Sequence, residues 1–295
     1  MSQYSIEQFS KITGLNKILI RTWENRYGFL KPKRTNTNIR FYDNHMLTQG
    51  IRYSVLVNNG HKISKLMKYN DQELKNLIEE ALITANNDDT KNEIIISKFV
   101  ESAINYDQDL FNKTYITCIK KFGITSFYKD IIVKTMKKIS VLYLNSEINP
   151  AHEHFISENM RIKLSAEIEV NSITETNKEN WILFLPENEY HDIGLLFTHL
   201  TLKEKGYNVI YLGQNVPREN LTSIKNNKDN ILFFISTKRS EKFISELFDF
   251  LLSNFEDSTI YFVSNKNSPH VENKKIKYIT EIDQFFEIIK KKKSN

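Results

Sequence analysis

The chain has 295 residues, of which 26% are charged and 40% are hydrophobic. A chain of this length typically folds into two or three domains. It contains no run of 18 or more apolar residues and does not start with a basic cap followed by an apolar stretch, so we expect no membrane span, no signal peptide and a cytoplasmic protein. The single cysteine, Cys118, excludes an intrachain disulfide and a zinc site built on several thiolates.

Charge is distributed unevenly along the chain. Residues 1–70 carry 12 lysines and arginines against 3 acidic residues, whereas residues 71–295 carry 29 against 33, so the net charges are +9 and −4. A basic head on a slightly acidic body is typical of a protein that binds a polyanion at one end. A solvated basic surface gives the same numbers, so the local sequence pattern has to decide between the two.

Two short helices are predicted at the start of the basic head. They cover Ser5–Thr13 and Asn16–Tyr27, with a tight turn at Gly14 and with Asn16 as the N-cap of the second helix. This is the layout of a helix-turn-helix. Lys17 and Arg21 share one face of the second helix and could enter a major groove together.

A basic, turn-rich segment, PKRTNTNIRFY, follows the second helix. A hairpin this basic is not explained as part of a core. Its lysine and arginine side chains suit contacts to phosphates or to the minor groove.

Helical spacing dominates the middle region, residues 71–176. The expected helices are Gln72–Thr84, Ile94–Lys121, Ile124–Asn145 and Ala151–Ile173. Gly123 separates the second helix from the third, and Pro150 stands at the start of the fourth. An antiparallel four-helix bundle is the simplest packing.

Apolar runs of strand type alternate with helical patterns over residues 177–295. The strand candidates are Trp181–Pro186, Asn208–Leu212, Asn230–Ser236, Ser258–Val263 and Lys277–Thr280. The helical patterns are Asp192–Lys205, Arg218–Lys225, Ser240–Asn254 and Glu281–Lys290. Because the runs are almost wholly apolar, they suit a sheet buried on both faces. The alternation predicts a doubly wound parallel sheet of flavodoxin-like type.

The segment IRTWENRYGFLKPKRTNTNIRFYD resembles the winged-helix head of MerR-type transcription regulators. The resemblance covers about the first 70 residues and implies a winged helix-turn-helix domain that binds a double-stranded DNA operator. It implies base contacts by Lys17 and Arg21, backbone contacts by Arg26 and Tyr27, and a wing anchored by Arg34 and Arg40. The full set expected at the DNA is Lys17, Arg21, Arg26, Tyr27, Lys33, Arg34 and Arg40.

Ordinary MerR-type regulators dimerise through a long helix directly after this head. The matching stretch here is only Gln72–Thr84. A short helix predicts a weak constitutive dimer, so we expect assembly to be controlled by something else.

Polar residues follow the first predicted strand. His191 falls near the start of the next helix, where the positive helix end disfavours an imidazolium and leaves a neutral nitrogen available as a ligand. Glu189 can accept the other ring N–H and orient the imidazole. Gly194 lets the backbone approach a bulky ligand. So short a pattern also occurs on ordinary surfaces, and its context has to decide.

The pattern Glu189-x-His191-x-x-Gly194, after a strand and before a helix, resembles the D-x-H-x-x-G loop of cobalamin-binding domains, with glutamate in place of aspartate. The resemblance implies that His191 is the lower axial ligand of the cobalt. Those domains place a serine 42 residues after the glycine, and Ser236 stands at that position here.

The segment PAHEHF at the start of the fourth predicted helix resembles the W-x9-E-H cap of the CarH/LitR group, MerR-type repressors that bind adenosylcobalamin as a light sensor. The resemblance implies that Glu153 and His154 face the upper side of the corrin. Tyr143 stands at the tryptophan position and retains an aromatic lid.

Two further features depart from that group. Leu144 stands where the light-sensing members have a histidine that binds cobalt, and it cannot ligate the metal, although His152 or His154 could substitute. Ser264 and Asn265 replace a double glycine after the fourth strand, and their side chains would narrow or block the passage for the nucleotide tail.

The main hypothesis is a transcription regulator, a repressor, whose oligomeric state and operator affinity are controlled by cobalamin bound between the bundle and the sheet. Adenosylcobalamin is the expected form, a dimer or tetramer the expected assembly, and light a candidate trigger. The alternative is a regulator that has lost cobalamin and is controlled by a protein partner. An enzyme is not expected, because a corrinoid carrier needs no basic DNA-binding head and the sequence offers no nucleophile–base constellation.

Overall fold

The computed structural model describes residues 3–170, 179–224, 229–264 and 271–292. The chain divides into two compact units, Met1–Glu158 and Asn159–Asn295. None of the helices in the described ranges has the length and apolar character needed to cross a membrane. The finer division into regions 1–70, 71–176 and 177–295 remains a prediction.

The first unit begins with a winged helix-turn-helix head, as predicted. Its elements are α1 (Ile6–Thr13), α2 (Lys17–Tyr27), an antiparallel ribbon of β1 (Lys33–Arg34) and β2 (Arg40–Phe41), α3 (Asn44–Asn58) and α4 (Ile63–Leu66). The side chain of Ser5 accepts the N–H of Gln8, and that of Asn16 accepts the N–H of Ile18. These caps fix where both helices begin. Gly28 ends α2 in the left-handed conformation, at φ 65°.

The head has an aromatic core of its own. The rings of Phe9 and Tyr42 lie 4.4 Å apart between centroids, and Phe29 contacts both Trp23, at 5.3 Å, and Tyr53, at 5.1 Å. All five side chains are buried. Burying rings of this size gives the small head most of its hydrophobic stabilisation.

The helical region follows the head. Its elements are α5 (Asp71–Thr84), α6 (Asp88–Asn105), α7 (Gln108–Phe127), a π-helical turn at Tyr128–Ile132, α8 (Val133–Leu144) and α9 (Pro150–Val170). Helix α6 packs against α5, α7 and α8. Phe155 of α9 meets Phe111 of α7 edge-on, with ring centroids 6.2 Å apart. The predicted end of the last helix, Ile173, lies outside the described residues.

The prediction of a single helix over Ile94–Lys121 is wrong. Tyr106 adopts the left-handed conformation, at φ 52°, and ends α6. Asp107 then begins α7 by accepting the N–H of Leu110 with its side chain. Gly123, at φ 70°, interrupts the helical backbone where the break between the second and third helices was predicted.

Ion pairs attach the head to the helical region within the first unit. Arg52 of α3 donates to Glu101 of α6, with Nη2 and Oε1 2.5 Å apart, and both side chains are almost fully buried. The ammonium of Lys11 in α1 lies 2.7 Å from Oε1 of Glu147, in the turn between α8 and α9. Charged hydrogen bonds of this kind restrict how the head can move on the helices.

The second unit contains the predicted parallel sheet. Its strands are β3 (Asn180–Pro186), β4 (Asn208–Val216), β5 (Asn230–Phe234), β6 (Thr259–Val263) and β7 (Ile276–Ile279), and its helices are α10 (Ile193–Glu204), α11 (Glu241–Asn254) and α12 (Ile282–Lys292). The strand order is β4-β3-β5-β6-β7, and every pairing is parallel. Apolar side chains of α11 cover one face, and those of α10 and α12 cover the other. This is the doubly wound, flavodoxin-like arrangement.

Two element predictions in this unit need correction. The strand expected at Asn208–Leu212 continues to Val216 through a register shift against β3. The segment expected as a helix at Arg218–Lys225 is a 3₁₀ helix over Arg218–Ile224, and Lys225 lies outside the described residues. 3₁₀ turns are frequent as connectors between elements, although a run of seven residues is unusually long.

Candidate functional site

The loop between β3 and α10 lies at the carboxyl edge of the sheet, where parallel sheets of this type bind ligands. Asn188 adopts the left-handed conformation, at φ 59°, and the side chain of Glu189 is fully buried. Asn215 of β4 fixes this loop from the neighbouring strand. Its Oδ1 accepts the N–H of Asn188 at 2.8 Å, and its own N–H donates to the carbonyl of Glu189 at 3.2 Å.

The buried carboxylate of Glu189 joins the loop to the end of β5. Its Oε1 accepts the N–H groups of Tyr190 and His191 at 3.1 and 3.2 Å and lies 2.6 Å from Nδ1 of His191. Its Oε2 accepts the N–H of Ser236 at 2.8 Å, and both the N–H and the hydroxyl of Thr237 at 3.0 Å. The structure therefore brings Glu189, His191 and Ser236 together, and Ser236 contributes its backbone.

Glu189 is ionised at neutral pH. Burial raises the pKa of this carboxyl, but the hydrogen bonds from the His191 ring and from the backbone of Thr237, Ser236 and His191 outweigh burial and lower the pKa to about 2. An ionised carboxylate can only accept, so Nδ1 of His191 carries the proton in this contact. In the neutral imidazole, the lone pair then resides on Nε2.

The ring of His191 is oriented in a way that suits binding of a metal. Its ring is held through Nδ1, while 64% of the side chain is exposed to solvent. A histidine whose second nitrogen donates to a carboxylate is the usual arrangement around metal-bound imidazoles. The residues at this loop therefore fit a metal centre that approaches from the sheet edge.

Several residues that support the loop were not predicted from the sequence. Arg161 of α9 makes a bidentate ion pair with Asp192, in which Nε lies 3.1 Å from both carboxylate oxygens and Nη2 lies 2.9 Å from Oδ1. Arg239 donates to the carbonyl of Asn188 at 2.5 Å, and Gln214 donates to that of Tyr190 at 2.9 Å. Arg239 comes shortly after β5, and Gln214 lies near the end of β4. Their positions at the carboxyl edge of the sheet were the sequence signal that could have placed them near the loop. No sequence pattern around Arg161 indicates that it contacts this loop.

Gly194 is needed for packing. A Cβ atom built on Gly194 would lie 2.8 Å from Cε1 of Phe234, closer than carbon atoms can approach. The glycine therefore lets α10 pack against β5. This contact is a packing reason for glycine at this position, and the close approach of a ligand at Gly194 remains a prediction.

Ser264 and Asn265, which replace the double glycine expected after β6, lie partly outside the described residues. Ser264 follows β6 directly, is half-buried, and its N–H donates to the carbonyl of Ile279 at 3.2 Å. Asn265 lies outside the described residues. The expected effect of this pair on a nucleotide tail remains a prediction.

The residues expected at the upper face of a corrin lie near the α8–α9 turn of the first unit. The side chains of Tyr143 and Leu144 are 43% and 77% exposed, His154 is exposed and Glu153 is half-buried. His152 is different, because only 2% of it is exposed.

His152 completes a capping box at the start of α9. Its Nδ1 accepts the N–H of Asn149 at 3.3 Å, and its own N–H donates to Oδ1 of Asn149 at 3.2 Å. Its ring stacks on Tyr106, with centroids 5.0 Å apart. Burial lowers the pKa of His152. The suggestion that His152 could substitute as an upper cobalt ligand is therefore wrong, because its ring is buried and its Nδ1 is used by the cap.

The residues predicted to contact DNA lie on α2 and on the ribbon. Arg21 and Arg26 are exposed on α2, and the guanidinium of Arg26 lies 5.4 Å from the centre of the Tyr27 ring. Lys17 is also exposed, but its ammonium lies 2.6 Å from Oε2 of Glu7.

The ribbon carries the remaining predicted contacts. Lys33 is exposed, and Nη1 of Arg34 donates to Oδ1 of Asn38 at the ribbon's tip, at 2.8 Å. Arg40 holds the ribbon to α2, because its Nε lies 2.9 Å from Oε2 of Glu24. The hydroxyl of Tyr42 donates to Oε1 of the same carboxylate at 2.6 Å. Arg34 and Arg40 thus make contacts inside the head, and their expected role in anchoring the wing at the DNA remains a prediction.

Comparison with known proteins identifies two domains in the chain. Residues 4–73 match the family described as MerR HTH family regulatory protein. Residues 95–166 match the family described as B12 binding domain, and this match covers the helical region.

Two curated relatives align over most of the chain. The HTH-type transcriptional repressor CarH of Myxococcus xanthus is 24% identical over 220 residues, which are 74% of this chain and 73% of CarH. The repressor CarA of the same organism is 22% identical over 250 residues, which are 83% of this chain and 81% of CarA.

Among solved structures, the monomethylamine corrinoid protein of Methanosarcina barkeri shares the fold. Its TM-score is 0.54 at 15% identity, and the match covers 67% of this chain and 97% of that protein. These matches agree with the winged helix-turn-helix, helical region and parallel sheet seen in the structure, and the chain therefore combines a MerR-type helix-turn-helix domain with a B12-binding domain.

Proposed function

We propose that this regulator binds double-stranded operator DNA through its head and binds cobalamin at the loop between β3 and α10, and that the cofactor controls its assembly and its affinity for DNA. The observation that carries the proposal is the contact between Glu189 and His191, with Oε1 and Nδ1 2.6 Å apart. The match of residues 95–166 to a B12-binding domain and the similarity to the repressors CarH and CarA support it. We infer repression as the direction of control from those two relatives.

His191 and Glu189 have separate roles in this proposal. His191 would hold the cobalt through Nε2, and Glu189 would keep the ring in the required tautomer through Nδ1–H. When bound, cobalamin supplies a cobalt centre whose upper ligand can be exchanged, and in adenosylcobalamin this ligand is sensitive to light. The ion pair between Arg161 and Asp192 holds Asp192, the residue directly after His191, in place.

The residues expected on the upper side of a corrin belong to the helical region. Tyr143, Glu153 and His154 are the residues we assign to it, following the CarH/LitR resemblance. Leu144 offers no nitrogen to the metal, and His152 is committed to its capping box. His152 and His154 were the two histidines that could bind cobalt in place of the histidine that Leu144 replaces. Of these two we therefore keep the exposed His154.

Control of assembly follows from the short helix after the head. Helix α5 has 14 residues, which is short for a stable two-stranded coiled coil. Cofactor-dependent association to a dimer or tetramer would place several heads on one operator. Linked heads bind with an affinity orders of magnitude above that of a single head without any new base contact.

The proposal is tested by DNA binding with and without cofactor. A duplex enriched from random DNA by the full chain would be titrated by fluorescence anisotropy in the dark, with and without adenosylcobalamin. We expect the cofactor to tighten binding at least tenfold, about the smallest gain that joining heads should give. Arg21→Ala should weaken binding in both conditions, and the matched control Lys75→Ala, on exposed α5 surface, should not.

The same titration separates the second candidate function, a regulator controlled by a protein partner. The exposed Leu144 and the side chain of Ser264 at a glycine position favour this candidate. DNA binding that is unchanged by adenosylcobalamin would support it and contradict cofactor control. Absence of DNA binding in both conditions would contradict both candidates.

A further inference from the structure

We propose that Ile18, at the start of α2, reads the C5-methyl group of a thymine in the major groove and is a determinant of operator sequence. The inference rests on the proposed DNA binding by the head and extends it to a named base. It follows from the direction in which Ile18 points, its exposure and the chemistry of its neighbours.

Helix α2 presents a defined outward face. Ile20 and Trp23 are buried, at 0% and 5% exposure, and define the side that packs into the head. At 100° per residue, the opposite side carries Ile18, with Arg21 and Thr22 one turn further along. Ile18 therefore shares its face with Arg21, the arginine expected to enter the major groove.

Ile18 is unusual on this face because it is a large apolar side chain with 73% of its surface exposed. β-Branched residues are also poorer helix formers than the alternatives at a surface position. Its backbone is fixed at both ends. Its N–H donates to the Asn16 cap at 2.8 Å, and its carbonyl accepts the hydroxyl of Thr22 at 2.8 Å. These bonds fix the backbone, and a β-branched side chain has one strongly preferred rotamer in a helix. The apolar group therefore lies at the helix N-terminus, the end of a recognition helix that meets the base edges.

The chemistry of the groove identifies the target. In the major groove the thymine C5-methyl is the apolar group that distinguishes thymine from the other bases, and apolar side chains contact it. Arg21 suits the O6 and N7 acceptors of guanine. Because one helical turn spans about 5.4 Å and base pairs are about 3.4 Å apart, the thymine is expected within one or two base pairs of the base that Arg21 contacts.

The experiment removes the methyl group from the DNA and the side chain from the protein in turn. A duplex enriched from random DNA by the full chain would be resynthesised with deoxyuridine in place of each thymine, one at a time. Binding of the unchanged chain, Ile18→Ala, Ile18→Val and the control Ile83→Ala would be measured by anisotropy. Ile83 is a comparable control because it is 78% exposed and lies on α5, outside the head.

We expect one thymine per half-site whose replacement weakens binding of the unchanged chain about fourfold, the value for burying one methyl group. Ile18→Ala should bind the thymine and deoxyuridine duplexes equally, while Ile18→Val and Ile83→Ala should keep the difference. Equal binding by the unchanged chain at every thymine, or an undiminished difference in Ile18→Ala, would overturn the inference. If the unchanged chain enriches no duplex, the proposed DNA binding fails together with it, and this outcome is distinct from the other two.

Discussion

Oε1 of Glu189 lies 2.6 Å from Nδ1 of His191, and Oε2 of the same buried carboxylate accepts three hydrogen bonds from Ser236 and Thr237. One side chain therefore both orients the proposed cobalt ligand and ties its loop to the end of β5. The orientation of His191 thus depends on the charge of Glu189.

Stability should depend on that charge at acidic pH. The pKa of Glu189 is lowered from 4.5 to about 2 in the folded chain, so its contribution is fully present above pH 4.5 and is lost as the pH falls from there to about 2. The loss amounts to about 3 kcal/mol. Urea unfolding across this pH range should show it in the unchanged chain, and Glu189→Gln should have a flatter profile. If the free energy of unfolding changed with pH in the same way for both proteins, the lowered pKa of Glu189 would be contradicted.

Gly194→Ala should destabilise the second unit by about 1–3 kcal/mol, because its Cβ would lie 2.8 Å from Cε1 of Phe234. Thermal unfolding followed by circular dichroism measures the change. The double variant Gly194→Ala/Phe234→Leu removes the ring that is in the way and should lose less stability than the two single changes added together. Additive losses would show that the glycine does not act through Phe234.

Arg52→Ala should cost about 3–5 kcal/mol of unfolding free energy, since it leaves the carboxylate of Glu101 buried without its guanidinium. The control is Lys91→Ala, which breaks the pair with Asp88, at 3.2 Å and with the aspartate exposed, and should cost at most about 1 kcal/mol. Urea titrations of both variants give the comparison. Equal small losses would mean that Arg52 does not hold the head to α6.

Glu24→Ala should weaken DNA binding about three- to tenfold, an effect of about 1 kcal/mol, although it removes a negative charge from a basic head. The reason is that Glu24 accepts from both Arg40 and Tyr42 and so holds the ribbon against α2. Anisotropy with the enriched duplex measures the effect. Glu7→Ala also removes an acidic residue from the head and should not weaken binding. Tighter binding by Glu24→Ala would mean that Glu24 affects DNA binding only through its negative charge and does not act by holding the ribbon.

Much of the fold could be predicted because the signals are local. The apolar runs predicted the five strands seen in the described part of the sheet, and the Asn16 cap predicted where the second helix begins. The break at Tyr106 was missed because a tyrosine in the left-handed conformation carries no glycine signal. Asp107, three residues before Leu110, was the available sign of a new helix.

The candidate site was predictable only in part. Glu189, His191 and Ser236 were identified by their resemblance to a known loop, and the structure brings them together. The pairing of Arg161 with Asp192 joins residues 31 positions apart and leaves no local pattern. His152 looked like its exposed neighbour His154 in the sequence, and only the capping contact with Asn149 separates their roles.

The most direct test of the proposed function is whether the loop between β3 and α10 retains the corrin. The full chain and His191→Ala would each be mixed in the dark with adenosylcobalamin and, separately, with hydroxocobalamin, and passed through a sizing column while visible absorbance is recorded before and after illumination. The account predicts corrin colour that co-elutes with the unchanged chain, with a larger assembly size, and that is lost in His191→Ala. A colourless protein peak with both cofactors, or equal colour in His191→Ala, would contradict it.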